Sequence, residues 1–184
     1  MKKTIWTPTL AWLAAVVGAL VLAFAGPNES SVMGRLHPVT AKRLDQQVIT
    51  LPQGFTADRT LALVAFQRGQ RAEIESWIDG LCLRQEQGIS WLRMPVLDDP
   101  GTETARNDIH NSLLARHSTS GDKARLVPIF TNREAFIRAA GLSGTDHASV
   151  LVVNREGKVL ARAEGLFDHD KAQALRETLL AQGN

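Results

Sequence analysis

The stretch Thr60-Leu-Ala-Leu-Val-Ala-Phe66 decides the fold that this sequence predicts. After the polar first residue it is continuously apolar, and polar residues flank it on both sides. A short run of this kind is typical of a strand covered on both faces, as in the parallel sheets of α/β proteins. The stretch therefore predicts the central strand of an α/β domain.

Strand and helix patterns alternate along the rest of the chain. The sequence Asn154-Arg-Glu-Gly157 separates the last two predicted strands and is typical of a hairpin turn. Alternation followed by a hairpin predicts a mixed sheet with helices on both faces and an antiparallel edge. The other predicted strands cover residues 48–51, 89–97, 124–130, 149–153 and 158–164, and the predicted helices cover 70–87, 102–117, 131–141 and 171–181.

The first 25 residues have the pattern of a targeting segment. Lys2 and Lys3 precede a long uncharged apolar stretch, and Ala23-Phe-Ala25 has the small-x-small form of a cleavage site. A cleaved signal peptide and a retained transmembrane helix remain alternatives, and both predict an extracytoplasmic, periplasmic location. The predicted organisation is therefore a signal or anchor over 1–25, a linker over 26–45 and one domain over 46–184.

The charge balance gives no reason to expect nucleic-acid binding. The chain carries 21 Lys and Arg against 19 Asp and Glu. Without Lys2 and Lys3 the basic residues number 19, so the part beyond the targeting segment is formally neutral. The basic excess is thus a property of the targeting segment.

The single cysteine, Cys82, cannot form an internal disulfide. On the predicted helix over 70–87 it shares an apolar stripe with Ile78 and Leu81, which favours a buried structural role. A nucleophilic role would need exposure and a cationic or helix N-terminal setting. We therefore expect Cys82 to lie in the core.

The order of elements resembles the thioredoxin-like superfamily. The similarity is greatest over residues 126–180, where a helix ending in Ala-Gly-Leu142, a strand, the Asn154–Gly157 turn and Gly165 follow in order. It extends over residues 61–181, with 89–117 as an additional strand and helix. The resemblance implies a mixed central sheet with helices on both faces and an inserted strand and helix.

The sequence departs from the redox members at both positions that resemblance assigns to their chemistry. Their C-x-x-C pair follows the first central strand, where this chain has Gln67-Arg-Gly-Gln-Arg-Ala-Glu73. Their cis proline precedes a later strand, where this chain has Ala148, for which we expect a trans bond. Loss of both features implies a use other than thiol–disulfide exchange.

Two segments are also similar to the mitochondrial ATP-synthase assembly-factor family, which is thioredoxin-like and lacks the cysteine pair. They cover residues 60–77, with a Ser-Trp-Ile sequence in the predicted helix, and residues 150–179. This resemblance implies an assembly or accessory factor for a membrane complex, whose partner is another envelope or membrane protein.

The turn at Arg68, Gln70 and Arg71 is the main candidate for a binding site. Two guanidinium groups beside a helix start favour an anion or an acidic partner segment, at the edge where α/β folds bind ligands. The alternative is a solvated loop. Trp91 and His147 complete the candidate binding residues, although Trp91 also fits a core position.

No catalytic residue, metal ligand or cofactor is predicted. His110 and His117 are seven residues apart on one predicted helix, about 10 Å along its axis, so they cannot share a metal without a bend. We expect a non-catalytic thioredoxin-like protein that acts by protein binding. The alternatives are a thiol–disulfide oxidoreductase or peroxiredoxin-like enzyme that uses Cys82, and an anion-binding module.

Overall fold

A computed structural model of the chain describes residues 33–181. The predicted signal or anchor segment over 1–25 lies outside these residues. None of the helices within residues 33–181 is both long and apolar enough to cross a membrane.

Strands and helices alternate through most of the described chain. A 3-10 turn, Arg68–Gln70, precedes the first α-helix. The strands are β1 (Gly34–Arg35), β2 (Val39–Lys42), β3 (Val48–Leu51), β4 (Arg59–Ala65), β5 (Trp91–Asp98), β6 (Ile129–Thr131), β7 (Ser149–Asn154) and β8 (Lys158–Glu164), and the helices are α1 (Arg71–Gly80), α2 (Glu103–Leu114), α3 (Ser120–Arg125), α4 (Arg133–Ala140) and α5 (His169–Leu180).

Six strands form one mixed sheet in the order β1-β8-β7-β4-β5-β6. The decisive strand, β4, pairs in parallel with β5 and antiparallel with β7. The β7–β8 hairpin continues the antiparallel half, and β6 pairs in parallel with β5. The mixed sheet is therefore confirmed, while β2 and β3 form a separate two-stranded hairpin.

Both faces of the sheet are buried. Successive β4 side chains point to opposite sides, so they belong to two different cores. Leu61 and Leu63 belong to a core with α1 and α5, whereas Ala62 and Val64 belong to a second core on which α4 packs. This division confirms helices on both faces of the sheet. The strand of the predicted insertion, β5, lies inside the sheet next to β4 and is integral to it.

The first helix ends earlier than the sequence predicts. It stops at Gly80, and the backbone then turns through Cys82, which has a φ of 53°. The Cys82 N–H donates to Asp79 O at 3.0 Å and the Leu83 N–H donates to Ile78 O at 2.9 Å. These two bonds form a Schellman motif with Cys82 at its left-handed position. Cys82 is consequently exposed, and its predicted core position is wrong.

Part of the predicted linker belongs to the packed domain. Strand β1 extends the six-stranded sheet by pairing with β8, and Leu36 and Leu44 are buried. A Cβ added to Gly34 would lie 2.3 Å from the Ala140 carbonyl carbon, so the arm contacts the end of α4 closely. Within the described residues the domain therefore includes the chain from Met33 onward.

The region before α4 also differs from the prediction. Helix α3 occupies the first part of what the sequence predicts as a loop and strand, which leaves only the short β6 as regular strand. Thr119 caps α3 by accepting from Asp122 N. Asn132 caps α4, because its side chain accepts from Ala135 N.

Candidate binding site

The turn after β4 is held together by the buried side chain of Gln70. Its Oε1 accepts hydrogen bonds from Phe66 N at 2.7 Å and Gln67 N at 3.1 Å. Its Nε2 donates to Thr145 O at 2.6 Å, and Gln67 Nε2 donates to the same oxygen at 3.2 Å. Gln70 is thus a structural link between this turn and the loop before β7.

A carboxylate makes the second link to that loop. Glu73 Oε2 accepts from Ala148 N at 2.6 Å, and Glu73 Oε1 lies 3.2 Å from His147 Nδ1. The His147–Ala148 bond is trans, as predicted. The two segments that the resemblance assigns to redox chemistry therefore do meet. Hydrogen bonds of side-chain amides and of a carboxylate join the two segments, at the positions where redox members have thiols and a cis proline.

A cavity of about 590 Å³ lies beside this turn. It opens at the carboxyl ends of the parallel strands β4 and β5, which is where ligands bind in open α/β sheets. Most of its surface is apolar. Its apolar lining comes from Leu63, Ala65, Phe66, Ile74, Met94, Pro95, Leu97, Ile109, Leu113 and Leu126.

The polar lining of this cavity is strongly cationic. Four arginines, Arg68, Arg71, Arg93 and Arg116, line it against one carboxylate, Asp108. We call the space the arginine-lined cavity. Guanidinium groups beside apolar walls are attracted to anions more strongly than in water, because the local dielectric is lower.

Arg93 differs from the other three because it lies on β5 and is 8% exposed. Its guanidinium is 3.0 Å from Glu75 Oε1, and Glu75 Oε2 is 2.5 Å from Arg84. Burial alone would raise the pKa of Glu75, but the hydrogen bond from Arg84 and the charge of Arg93 outweigh burial and lower it. Glu75 therefore stays ionised and fixes Arg93 at the wall of the cavity.

His117 also lines the arginine-lined cavity. Burial lowers its pKa, and the positive charges of Arg93 and Arg71 lower it further, although Asp122 and Glu75 oppose this. The imidazole is consequently neutral at neutral pH. The cationic character of the cavity then comes from arginine alone.

The structure brings together only part of the predicted site. Arg68 and Arg71 line the cavity, whereas Gln70 is buried in the turn. His147 is exposed and does not line the cavity. Trp91 is a core residue whose Nε1 donates to Leu83 O at 3.0 Å.

The cavity residues that the sequence analysis does not predict as binding residues include Arg93, Arg116 and His117. Arg93 lies in the middle of a predicted strand, and this was the sequence signal that could have identified it. Charged residues are rarely buried without a partner. His110, the other histidine of α2, is buried and lies 3.1 Å from Gln46 Nε2. Among residues 33–181, no three His, Cys, Asp or Glu side chains are grouped closely enough to hold a metal ion.

No protein-family model matches the chain, and no curated protein matches it in sequence. Solved structures do match at the level of the fold. BsSco, a member of the Sco family of cytochrome c oxidase assembly proteins, superposes with a TM-score of 0.50 at 14% identity. That match covers 79% of this chain and 91% of BsSco.

Two further structures give the same result. The exposed lipoprotein thioredoxin Etrx1 of Streptococcus pneumoniae has a TM-score of 0.50 at 15% identity, over 77% of this chain and 99% of its own. A protein of Chlorobium tepidum proposed to be the thiol:disulfide interchange protein DsbE has a TM-score of 0.50 at 17% identity, over 80% and 94%. With the mixed sheet and its flanking helices, these matches show that the chain has the thioredoxin-like fold.

Proposed function

We propose that this protein is a non-catalytic, thioredoxin-like binding protein that works outside the cytoplasm as an assembly or accessory factor for a membrane complex. The observation that carries the proposal is the turn at Gln67–Gln70. Its side chains hydrogen-bond to the facing loop, while Arg68 and Arg71 line the adjoining cavity. The position used for thiol chemistry in redox thioredoxins thus holds a hydrogen-bonded turn with two arginines beside it, which supports a binding role.

Two further observations support this role. The apolar targeting pattern of the first 25 residues favours export of the domain. BsSco, whose fold is similar, belongs to a family of assembly proteins for cytochrome c oxidase. The partner of this chain is proposed to be another envelope or membrane protein that presents an acidic segment to Arg68 and Arg71.

Site-specific photo-crosslinking in cells tests this proposal. The full-length chain carries p-benzoyl-phenylalanine in place of Arg68 in one sample and in place of Arg138, which is exposed on α4, in the control. We expect one membrane or envelope protein to crosslink from position 68 and not from position 138. Equal products from both positions, or none from either, would overturn the proposal.

A charge-removal variant tests the two arginines separately from the crosslinker. Arg68→Ala with Arg71→Ala should reduce recovery of that partner about tenfold or more, because each charged hydrogen bond contributes roughly 1.5–3 kcal/mol. Arg138→Ala, which removes a charge far from the turn in sequence, is the matched control. Unchanged recovery with the double variant would count against the site.

Export can be tested with the single cysteine, because Cys82 is exposed. A membrane-impermeant maleimide should label Cys82 in cells whose outer barrier is opened and whose cytoplasmic membrane is intact. A cytoplasmic thiol protein in the same sample should stay unlabelled. Labelling of Cys82 only after lysis would place the domain on the cytoplasmic side.

The exposure of Cys82 also favours a second candidate function, a single-cysteine oxidoreductase. The thiol follows the end of α1 and does not stand at the start of the helix, where redox members carry their cysteine pair. Insulin reduction and peroxide turnover by the purified chain, with Cys82→Ser as control, distinguish the two functions. Turnover that disappears in Cys82→Ser would establish the enzyme.

A further inference from the structure

Helix α2 presents an apolar stripe that the two cores do not cover. Ile109 and Leu113 are half-buried, belong to neither core cluster and line the arginine-lined cavity. They therefore face space that the protein itself leaves unfilled, which a ligand with apolar surface would fill.

Another part of the lining comes from Ala65, at the end of β4, and Pro95, in the middle of β5. Ala65 and Pro95 are paired across the parallel register of β4 and β5, and both are half-buried. One step deeper along the same faces, Leu63 is paired with Arg93. Arg93 is therefore buried at the inner wall, whereas Arg68, Arg71 and Arg116 are exposed where they line the cavity.

The charges of the lining select the sign of the ligand. Four arginines stand against Asp108, and Glu75, the acid that pairs with Arg93, lies outside the lining. An ionised carboxylate inside the cavity can accept bidentate bonds from a guanidinium, which recognises its planar geometry. A cationic head group would be repelled by these arginines, and a neutral one would offer them no ionised acceptor.

We propose that the arginine-lined cavity binds a medium-chain carboxylate, with its head among the arginines and its alkyl chain between α2 and the ends of β4 and β5. This inference rests on the proposed function in that it uses the same Arg68–Arg71 turn. A volume of about 590 Å³ lies within the range of small-molecule sites, roughly 300–1,000 Å³. The bound chain covers Ile109 and Leu113 and holds α2 against the sheet.

Calorimetric titration of the purified chain with hexanoate, octanoate and decanoate tests the alkyl part of the site. Each added methylene should tighten binding about fourfold, because burial of one methylene contributes about 0.8 kcal/mol. Concentrations are kept below micelle formation. Octanol and octylammonium, which keep the chain and change the head, should bind at least tenfold more weakly than octanoate.

Two variants separate the head group from the chain. Arg68→Gln with Arg116→Gln should weaken octanoate binding about tenfold or more and leave octanol unaffected. Ser112→Phe places an aromatic ring in the cavity lining and should abolish binding of both ligands. Arg138→Gln, an exposed arginine on α4, should bind octanoate as the parent does.

Circular dichroism and thermal unfolding establish that each variant is folded before it is compared. No binding by the parent, equal binding of octanoate and octylammonium, or binding that survives Ser112→Phe would overturn the inference. Hydrogen exchange adds a readout from the helix itself: octanoate should slow exchange in α2, and unchanged exchange would contradict the placement of the chain.

The outcomes distinguish this inference from the proposed function. Crosslinking from position 68 without any carboxylate binding would overturn the inference and leave the partner-binding role standing. Carboxylate binding with no partner at position 68 would support the inference and overturn the assembly role.

Discussion

The guanidinium of Arg93 lies 3.0 Å from the carboxylate of Glu75, which joins the middle of β5 to helix α1. Glu75 also pairs with Arg84 in the segment that follows α1. One carboxylate therefore balances a buried arginine and anchors an exposed one. This arrangement allows β5 to carry a buried charge into the wall of a largely apolar cavity.

Removal of the Glu75 charge should destabilise the fold. Glu75→Gln leaves the largely buried Arg93 without its counter-ion, and we expect a loss of about 2–3 kcal/mol in the free energy of unfolding. Glu134→Gln, which breaks an exposed pair with Arg138 on α4, should cost less than about 0.5 kcal/mol. Urea unfolding of both variants measures the difference, and similar losses would refute the special role of Glu75.

Stability should fall as the pH drops below neutrality, because His110 is buried as a neutral imidazole. Burial lowers the pKa of His110, and the charge of Lys42 lowers it further. The unfolded chain then binds the proton more readily than the folded one, so stability is lost as pH falls from about 6.5 towards the folded pKa. The pKa of His117 is also lowered, so both histidines reduce the stability of the fold as the pH falls.

His110→Leu should reduce the slope of unfolding free energy against pH between about pH 5 and 7 without abolishing it, since His117 remains. Urea unfolding across this range measures the slope. The exposed His37, replaced in His37→Gln, provides the matched control. A slope identical to that of the parent would show that His110 does not contribute.

Gly141 should not tolerate a side chain. Its φ is 69°, and a Cβ there would lie 1.9 Å from the Met33 carbonyl oxygen. Gly141→Ala should therefore cost about 2 kcal/mol or more, partly by displacing the arm that leads into β1. At Gly144 no atom lies within 4 Å of an added Cβ, so Gly144→Ala should change stability by less than about 0.5 kcal/mol.

The same pair of variants tests whether the arm packs on the domain. Faster amide exchange at Met33, whose N–H donates to Val159 O at 2.9 Å, is expected in Gly141→Ala and not in Gly144→Ala. Equal exchange in the two variants would contradict the contact between the arm and Gly141.

Loss of the Gln70 side chain should loosen the turn that bears Arg68 and Arg71. Gln70→Ala leaves the amides of Phe66 and Gln67 without their acceptor, and we expect a loss of about 2 kcal/mol. Gln173→Ala, on the exposed side of α5, is the control and should be nearly neutral. Differential scanning calorimetry compares the two variants. If Gln70→Ala were as stable as the parent, the structural role of Gln70 would be contradicted.

The sheet could be predicted from the sequence to a large extent. The apolar run of β4, the hairpin turn at Gly157 and the Asp168 cap of α5 are local signals, and the structure has each of them. The end of α1 was harder to predict. The left-handed position of its terminating motif holds Cys82 and not the usual glycine, so the stripe of apolar residues continued past the true end of the helix.

The candidate site was predicted only at its turn. Arg68 and Arg71 follow the central strand directly, and that position could be recognised from order alone. Arg93 and Arg116 come from a neighbouring strand and from the segment after α2. Nothing in their local sequence shows that they line the same space, because their approach depends on the pairing of β4 with β5 and on the position of α2.

By itself the sequence determined the alternation of strands and helices, the central strand and the absence of a cysteine pair, because hydrophobic periodicity and residue identity are local properties. The tertiary structure alone decided the exposure of Cys82, the inclusion of the arm from Met33 and the grouping of four arginines around an apolar cavity. These depend on strand register and helix packing, which bring distant residues together and which no local pattern encodes.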